Sequence, residues 1–237
     1  MKSWILSLVA FLVVGSIAGV QGAYADPISL RVSSGVISCT LTDGGAVSGG
    51  CAGSDAAGAG AISWSTAIGD WSVAVNTGIG SSLIRPGSLD LSFIDLSIIP
   101  TLSTLTIEFT QTFTSPSFAS YLLGVGGTLG AGVDSVTYSA FVDNSNTAFG
   151  KPLSGQIGST LVFSTPGAFS GSTSGDGGGA DSLYSLTQVI TIKGNGFGPA
   201  IASGDATVDA PEPSSFVLLG TGLIGIAGAL RRRSKSK

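Results

Sequence analysis

Short alternating apolar and polar runs, glycine-rich breaks between them and no helical period predict an all-β chain. The expected architecture is a single β-sandwich, jelly-roll-like, over residues 26–208. About eight to ten strands spaced by roughly ten to fifteen residues fit two packed sheets, and the lack of interleaved helices disfavours a parallel sheet. About 185 residues suffice for one domain with its own core. Two apolar segments flank it, at residues 1–25 and 209–237.

The first segment reads as a secretory signal peptide. Lys2 supplies a positive start, Trp4 to Val20 is almost wholly apolar, and Ala23-Tyr24-Ala25 places small residues where a signal peptidase inspects them. Cleavage is expected after Ala25, leaving Asp26 as the mature N-terminus. The rival reading, an uncleaved anchor helix, fits the spacing of Ala23 and Ala25 less well.

The strands follow in order. Ile28–Val32 alternates, and Val36–Leu41 follows a glycine, so the two read as a hairpin. Gly44 to Gly60 is a Gly/Ala/Ser loop. Ile62–Ser65 and Trp71–Val75 pair across Gly69-Asp70, and Leu89–Ile94 follows the turn signature Pro86-Gly87. Leu102–Phe113 has the strongest pattern. Leu105, Ile107 and Phe109 share an expected dry face, while Thr104, Thr106, Glu108, Thr110 and Thr112 share an expected wet one. Gln111 fits either, and with the threonines it would make a candidate polar surface for glycans or an ordinary exposed sheet face. Tyr121–Val125, Ser135–Val142, Thr160–Phe163 and Leu183–Ile192 complete the series, with Ile201–Val208 as a final edge strand. Ser170 to Asp181 has low complexity and reads as a mobile loop.

Charge restricts the partners. The chain is −4 overall, but Asp26 to Ala210 carries only Arg31, Arg85, Lys151 and Lys193 against twelve aspartates and Glu108, a net of −9. Such a surface repels phosphate backbones and excludes nucleic acid as a partner. Cys39 and Cys51 are the only cysteines, and in an oxidising compartment they read as a disulfide holding the Gly44–Gly60 loop, with free thiols as the alternative. The bond would contribute about 3 kcal/mol. Without histidine, a zinc set cannot be completed from this pair.

The C-terminal segment has three parts. Pro211-Glu212-Pro213 stops a sheet, Phe216 to Leu230 carries no charge, and Arg231, Arg232 and Arg233 close the run. As a helix the apolar part would span about 22 Å, short of the ~30 Å hydrocarbon layer unless arginines snorkel or the bilayer thins. The arginines favour the cytoplasmic face, which puts the body outside. A core helix is the competing reading, and it fits neither the Pro-Glu-Pro break nor the basic stop. In that three-part order the segment resembles the PEP-CTERM sorting signal of exported proteins in Gram-negative bacteria that make extracellular polysaccharide. The resemblance covers only about a tenth of the chain. It implies recognition by an exosortase, a membrane cysteine peptidase thought to cut near the Pro-Glu-Pro motif, and delivery to the surface or matrix. The body more loosely resembles the β-rich domain of such proteins through Trp71–Val75, Leu105–Ile107, Tyr138–Asp143 and Ser185–Ile192. No catalytic residue carries over from that likeness.

Catalytic chemistry finds little footing. A Ser/His/Asp set lacks its base, and neither Lys151 nor Lys193 sits in a Ser-x-x-Lys spacing. Glu108, the body's single glutamate, is expected as a solvated strand residue rather than a glycosidase acid, with Asp90 or Asp95 as unsupported partners. Asp143-Asn144-Ser145-Asn146 and Asp176 through Asp181 offer oxygens to calcium, although turn formation explains them more simply. Trp64, Trp71, Tyr121, Tyr138 and Tyr184 are expected in the core rather than as sugar platforms. The chain is therefore expected to be non-enzymatic, with no cofactor or metal. A glycan-binding module is the alternative, and a secreted carbohydrate-active hydrolase a remote one.

Overall fold

Alternation underlies most strands of the structure, a computed structural model that describes residues 28–80, 87–114, 120–178 and 183–210 together with Gly222. In chain order the strands are β1 (Ile28–Ser34), β2 (Ile37–Thr42), β3 (Ala61–Ile68), β4 (Trp71–Ile79), β5 (Leu89–Pro100) and β6 (Thr104–Phe113). Then come β7 (Ser120–Leu129), β8 (Val133–Asp143), β9 (Leu161–Phe163), β10 (Gly167–Asp176), β11 (Tyr184–Gly194) and β12 (Pro199–Asp209). A single 3₁₀ turn, Leu153–Gly155, interrupts the connection from β8 to β9.

The strands form two six-stranded antiparallel sheets, ordered β2-β1-β6-β11-β8-β9 and β10-β7-β12-β5-β4-β3. From β5 to β12 the chain crosses between sheets at every step except β8 to β9, which is the winding of a jelly roll. The β1–β2 hairpin widens one sheet beside β6, and β3–β4 widens the other beside β5. Facing side chains such as Leu30, Ile107, Phe109 and Ile190 from one sheet, and Trp71, Val75, Phe93 and Leu123 from the other, make one core. Among the described residues, the members of that core run from Ile28 to Ala210. Trp64, Trp71, Tyr121, Tyr138 and Tyr184 are all in it, none more than 3% exposed.

Three expectations are corrected. The segment from Ser170 is not a loop: β10 runs to Asp176 and pairs along its length with β7. Its glycines let it lie close to its surroundings, since a Cβ at Gly175 would stand 2.1 Å from the Gly158 nitrogen. Nor is β12 an edge strand. It lies between β7 and β5, and its small residues are what crowding on both sides requires, a Cβ at Gly204 meeting the Phe93 ring at 2.9 Å. The wet face of β6 is only partly wet: Thr104, Thr106 and Thr112 stay partly exposed, but Glu108 and Thr110 are buried beneath the connection from β8 to β9.

Strand directions give the sandwich two poles. Ile28 pairs with Gln111, Asp209 with Leu122 and Val208 with Leu89, so both ends of the described body lie at one pole. Turns 35–36, 69–70, 101–103, 130–132 and 195–198 form the other. The long loop after β2 guards two sheet edges, held by the Cys39–Cys51 disulfide with Cα atoms 5.9 Å apart. Thr40 and Ser48 exchange backbone hydrogen bonds at 3.1 and 2.8 Å beside β2, and the Ala56 N–H donates to the Ser63 carbonyl of β3 at 2.9 Å.

Candidate functional site

The connection from β8 to β9 folds back over the outer face of its own sheet. Arg31 on β1 and Glu108 on β6 are register partners, and Lys151 reaches Glu108 from above. Arg31 Nε donates to one carboxylate oxygen at 2.5 Å and Lys151 Nζ to the other. The Arg31 guanidinium lies 4.2 Å from the Phe149 ring centroid. The Phe149 N–H donates to Thr110 Oγ1 at 3.3 Å, and Ser185 Oγ donates to the Thr147 carbonyl at 2.7 Å. Asn146 and Phe149 hold left-handed backbone, with φ of 53° and 61°.

Burial alone would raise the Glu108 pKa; the hydrogen bonds and charges of Arg31 and Lys151 outweigh it and hold the carboxyl below the usual glutamate range. Glu108 is thus an ionised latch under the loop, the opposite of a glycosidase acid, which needs a raised pKa and a proton to give. Its suggested partners do not face it. Asp90 lies on the outer face of the other sheet, and Asp95 points inward from that sheet into the core.

The two oxygen-rich loops do meet. Val142, Asp143, Asn144 and Ser145 line an open cleft of about 200 Å³ with Pro152, Ser154, Gly155, Gly177 and Gly178. Asp143 Oδ1 accepts the Ser145 N–H at 2.9 Å, an Asx turn, and its Oδ2 packs against Gly150. The carboxylate is turned into its own loop. Among the described residues no group of three or more acidic, histidine or cysteine side chains converges. The cleft offers hydroxyl, amide and backbone groups to a small polar ligand, and no aromatic lines it among the described residues.

The sorting residues Pro211, Glu212, Pro213, Arg231, Arg232 and Arg233 and the cleavage residues Ala23 and Ala25 lie outside the described residues, as does the apolar segment 216–230 apart from Gly222. Among the described residues no helix is long and apolar enough to cross a membrane. What the structure does place is the start of that tail. Strand β12 ends at Asp209, at the pole where β1 begins.

A family model described as the PEP-CTERM protein-sorting motif matches residues 209–233. The chain carries a PEP-CTERM sorting motif. Because Asp209 closes β12, the PEP-CTERM motif abuts the sandwich with no intervening linker. No curated protein matches the sequence significantly. Among solved structures the chain is similar to TmCBM61 in complex with β-1,4-galactotriose, at 9% identity over 60% of this chain and 88% of that one, TM-score 0.32. It is also similar to a structure from work on promiscuous carbohydrate-binding modules of the β-sandwich superfamily, at 9% identity over 80% and 85%, TM-score 0.34. A third is Broad Bean Stain Virus, at 12% identity over 79% of each chain, TM-score 0.28. Likenesses of this size carry nothing about ligand or mechanism.

Proposed function

We propose that the protein is a non-enzymatic exported protein, sorted through its C-terminal tail to the cell surface or extracellular matrix and associated there with extracellular polysaccharide. Signal peptidase removes residues 1–25. Residues 216–230 then enter the membrane, with Arg231, Arg232 and Arg233 held on the cytoplasmic side. An exosortase recognises Pro211-Glu212-Pro213 and cuts near it.

The observation that carries this reading is the PEP-CTERM motif beginning on the last residue of β12. In sequence, the Pro-Glu-Pro segment stands between the end of β12 and the apolar run from Phe216, within a few residues of where a membrane peptidase works. The ion-paired Glu108 supports a non-catalytic body, because the one glutamate between Asp26 and Ala210 is committed to Arg31 and Lys151. Deleting Ser215 to Lys237 tests the sorting role: the body should appear in the medium or the periplasm, and unchanged surface location would reject it. For the polysaccharide association, the purified body is mixed with the host's extracellular polysaccharide. Co-sedimentation supports the association and a clean negative removes it.

A further inference from the structure

The two poles of the sandwich differ in chemistry. Asp43, Asp55, Asp90, Asp143, Asp176 and Asp209 lie at the pole from which the tail leaves, on strand ends or the loops beside them. At the far pole the described acids are Asp70, which accepts the Thr101 hydroxyl at 2.7 Å, and Asp134, paired with Lys193 at 2.9 Å. The far pole exposes Val36, Ile98, Ile99, Leu102, Phe197 and Ile201, each between 48% and 103% accessible, against Leu122, Leu153 and Leu183 at or beside the tail pole.

Most of these side chains come from segments that the fold brings together. Pro199 pairs with Pro100, Ile201 with Leu96, the Gly196 N–H donates to the Thr101 carbonyl at 2.9 Å, and Leu102 packs against Gly196. Neither 96–102 nor 196–201 contains a charged residue. Scattered exposed aliphatics are ordinary, but an uncharged group gathered on the turns at one end is not.

We infer that this far pole is a self-association surface, on which a second copy of the chain docks pole to pole about a two-fold axis. A patch whose only charges are Asp70, held by Thr101, and the Asp134–Lys193 pair is close to self-complementary, and it resembles the charge-depleted centre of a homodimer interface. Charge placement favours the same occupant. In a body of net −9, pole-to-pole docking joins the ends with least acid and holds the acidic ends farthest apart. A lipid surface fits less well, because interfacial insertion draws on Lys, Arg, Trp and Tyr, and the pole's Lys193 is engaged by Asp134. The pole lies opposite the tail, so a second molecule can reach it while the first is held at the membrane. That orientation rests on the sorting proposal; the association itself does not.

The test uses residues 26–210, which hold every core residue among the described residues. By sedimentation the body should form dimers, and I98E combined with F197E should weaken them at least about tenfold with an unchanged melting curve. Oxidation of F197C should give a disulfide-linked dimer on non-reducing gels, whereas N144C, beside the cleft at the tail pole, should stay monomeric. A monomeric body at about 100 µM, with F197C no better crosslinked than N144C, would overturn the inference. So would a monomeric body that pellets with phosphatidylcholine vesicles and loses that in the I98E/F197E variant, since lipid would then be the occupant.

Discussion

Asp95 should set how the stability of this fold depends on pH. It stands on β5 opposite Val73 and Ala202, with its side chain in the core, no surface exposed and neither carboxylate oxygen hydrogen-bonded among the described residues. Burial holds its pKa well above the ordinary carboxylate range. The folded protein therefore keeps a proton that the unfolded chain releases above about pH 3.9. Stability from this group is fully present below that value and is lost as pH rises, by about 1.4 kcal/mol per unit, until the folded carboxyl ionises. If it is still neutral at pH 7 the loss reaches about 4 kcal/mol. Asp95→Asn keeps the shape and the unmet hydrogen bonds but cannot ionise. The variant should match the wild type near pH 4 and exceed it by up to about 4 kcal/mol at pH 7, or roughly 10 °C in melting temperature. Urea titrations from pH 4 to 8, followed by fluorescence of the buried Trp64 and Trp71, would read this directly. An equal pH slope in both proteins, or a variant weaker at every pH, would refute the reasoning.

Other expectations concern the latch and the disulfide loop. Glu108→Gln leaves Arg31 and Lys151 without their carboxylate. Both are about one-third exposed, at 32% and 38%, so the cost should be about 1–3 kcal/mol rather than that of a fully buried pair. Since the Glu108 pKa is lowered, its stabilisation is present above about pH 4.3 and lost as pH falls through the lower folded value. Acid melting curves of the variant should lack that loss. Replacing Cys39 and Cys51 by serine should cost about 2–3 kcal/mol in urea unfolding. It should also speed aggregation in light scattering, because the loop guarding the β2 and β3 edges is released. No change in scattering would show that the loop guards nothing.

Much of the strand content was legible because one face of most strands is buried, so alternation marks them directly. Leu105, Ile107 and Phe109 on β6 illustrate its strength, all fully buried, while polar Gln111, whose face the pattern leaves open, is buried with them. What alternation cannot register is a second layer on the other face. Glu108 and Thr110 look solvated in sequence, and only the return of residues 144–156 covers them. Glycine-rich β10 hides for a different reason, because its pairing comes from β7 rather than from its own propensity. The central place of β12 was likewise set by neighbours distant in sequence. At the candidate site, the donor loops at Asp143 and Asp176 were visible separately, while their meeting depends on jelly-roll winding. The sorting motif could be read outright because it is a linear signal that needs no fold around it.

Residues 1–25 and 209–237 are proposed to be transport signals processed at the membrane. Intact mass spectrometry of the protein recovered from the cell surface tests this most directly. The predicted result is a chain that begins at Asp26 and lacks residues 216–230, with Cys39 and Cys51 two hydrogens lighter than free thiols. A chain that still runs from Met1 to Lys237, recovered from the cytosol instead of the surface, would contradict it.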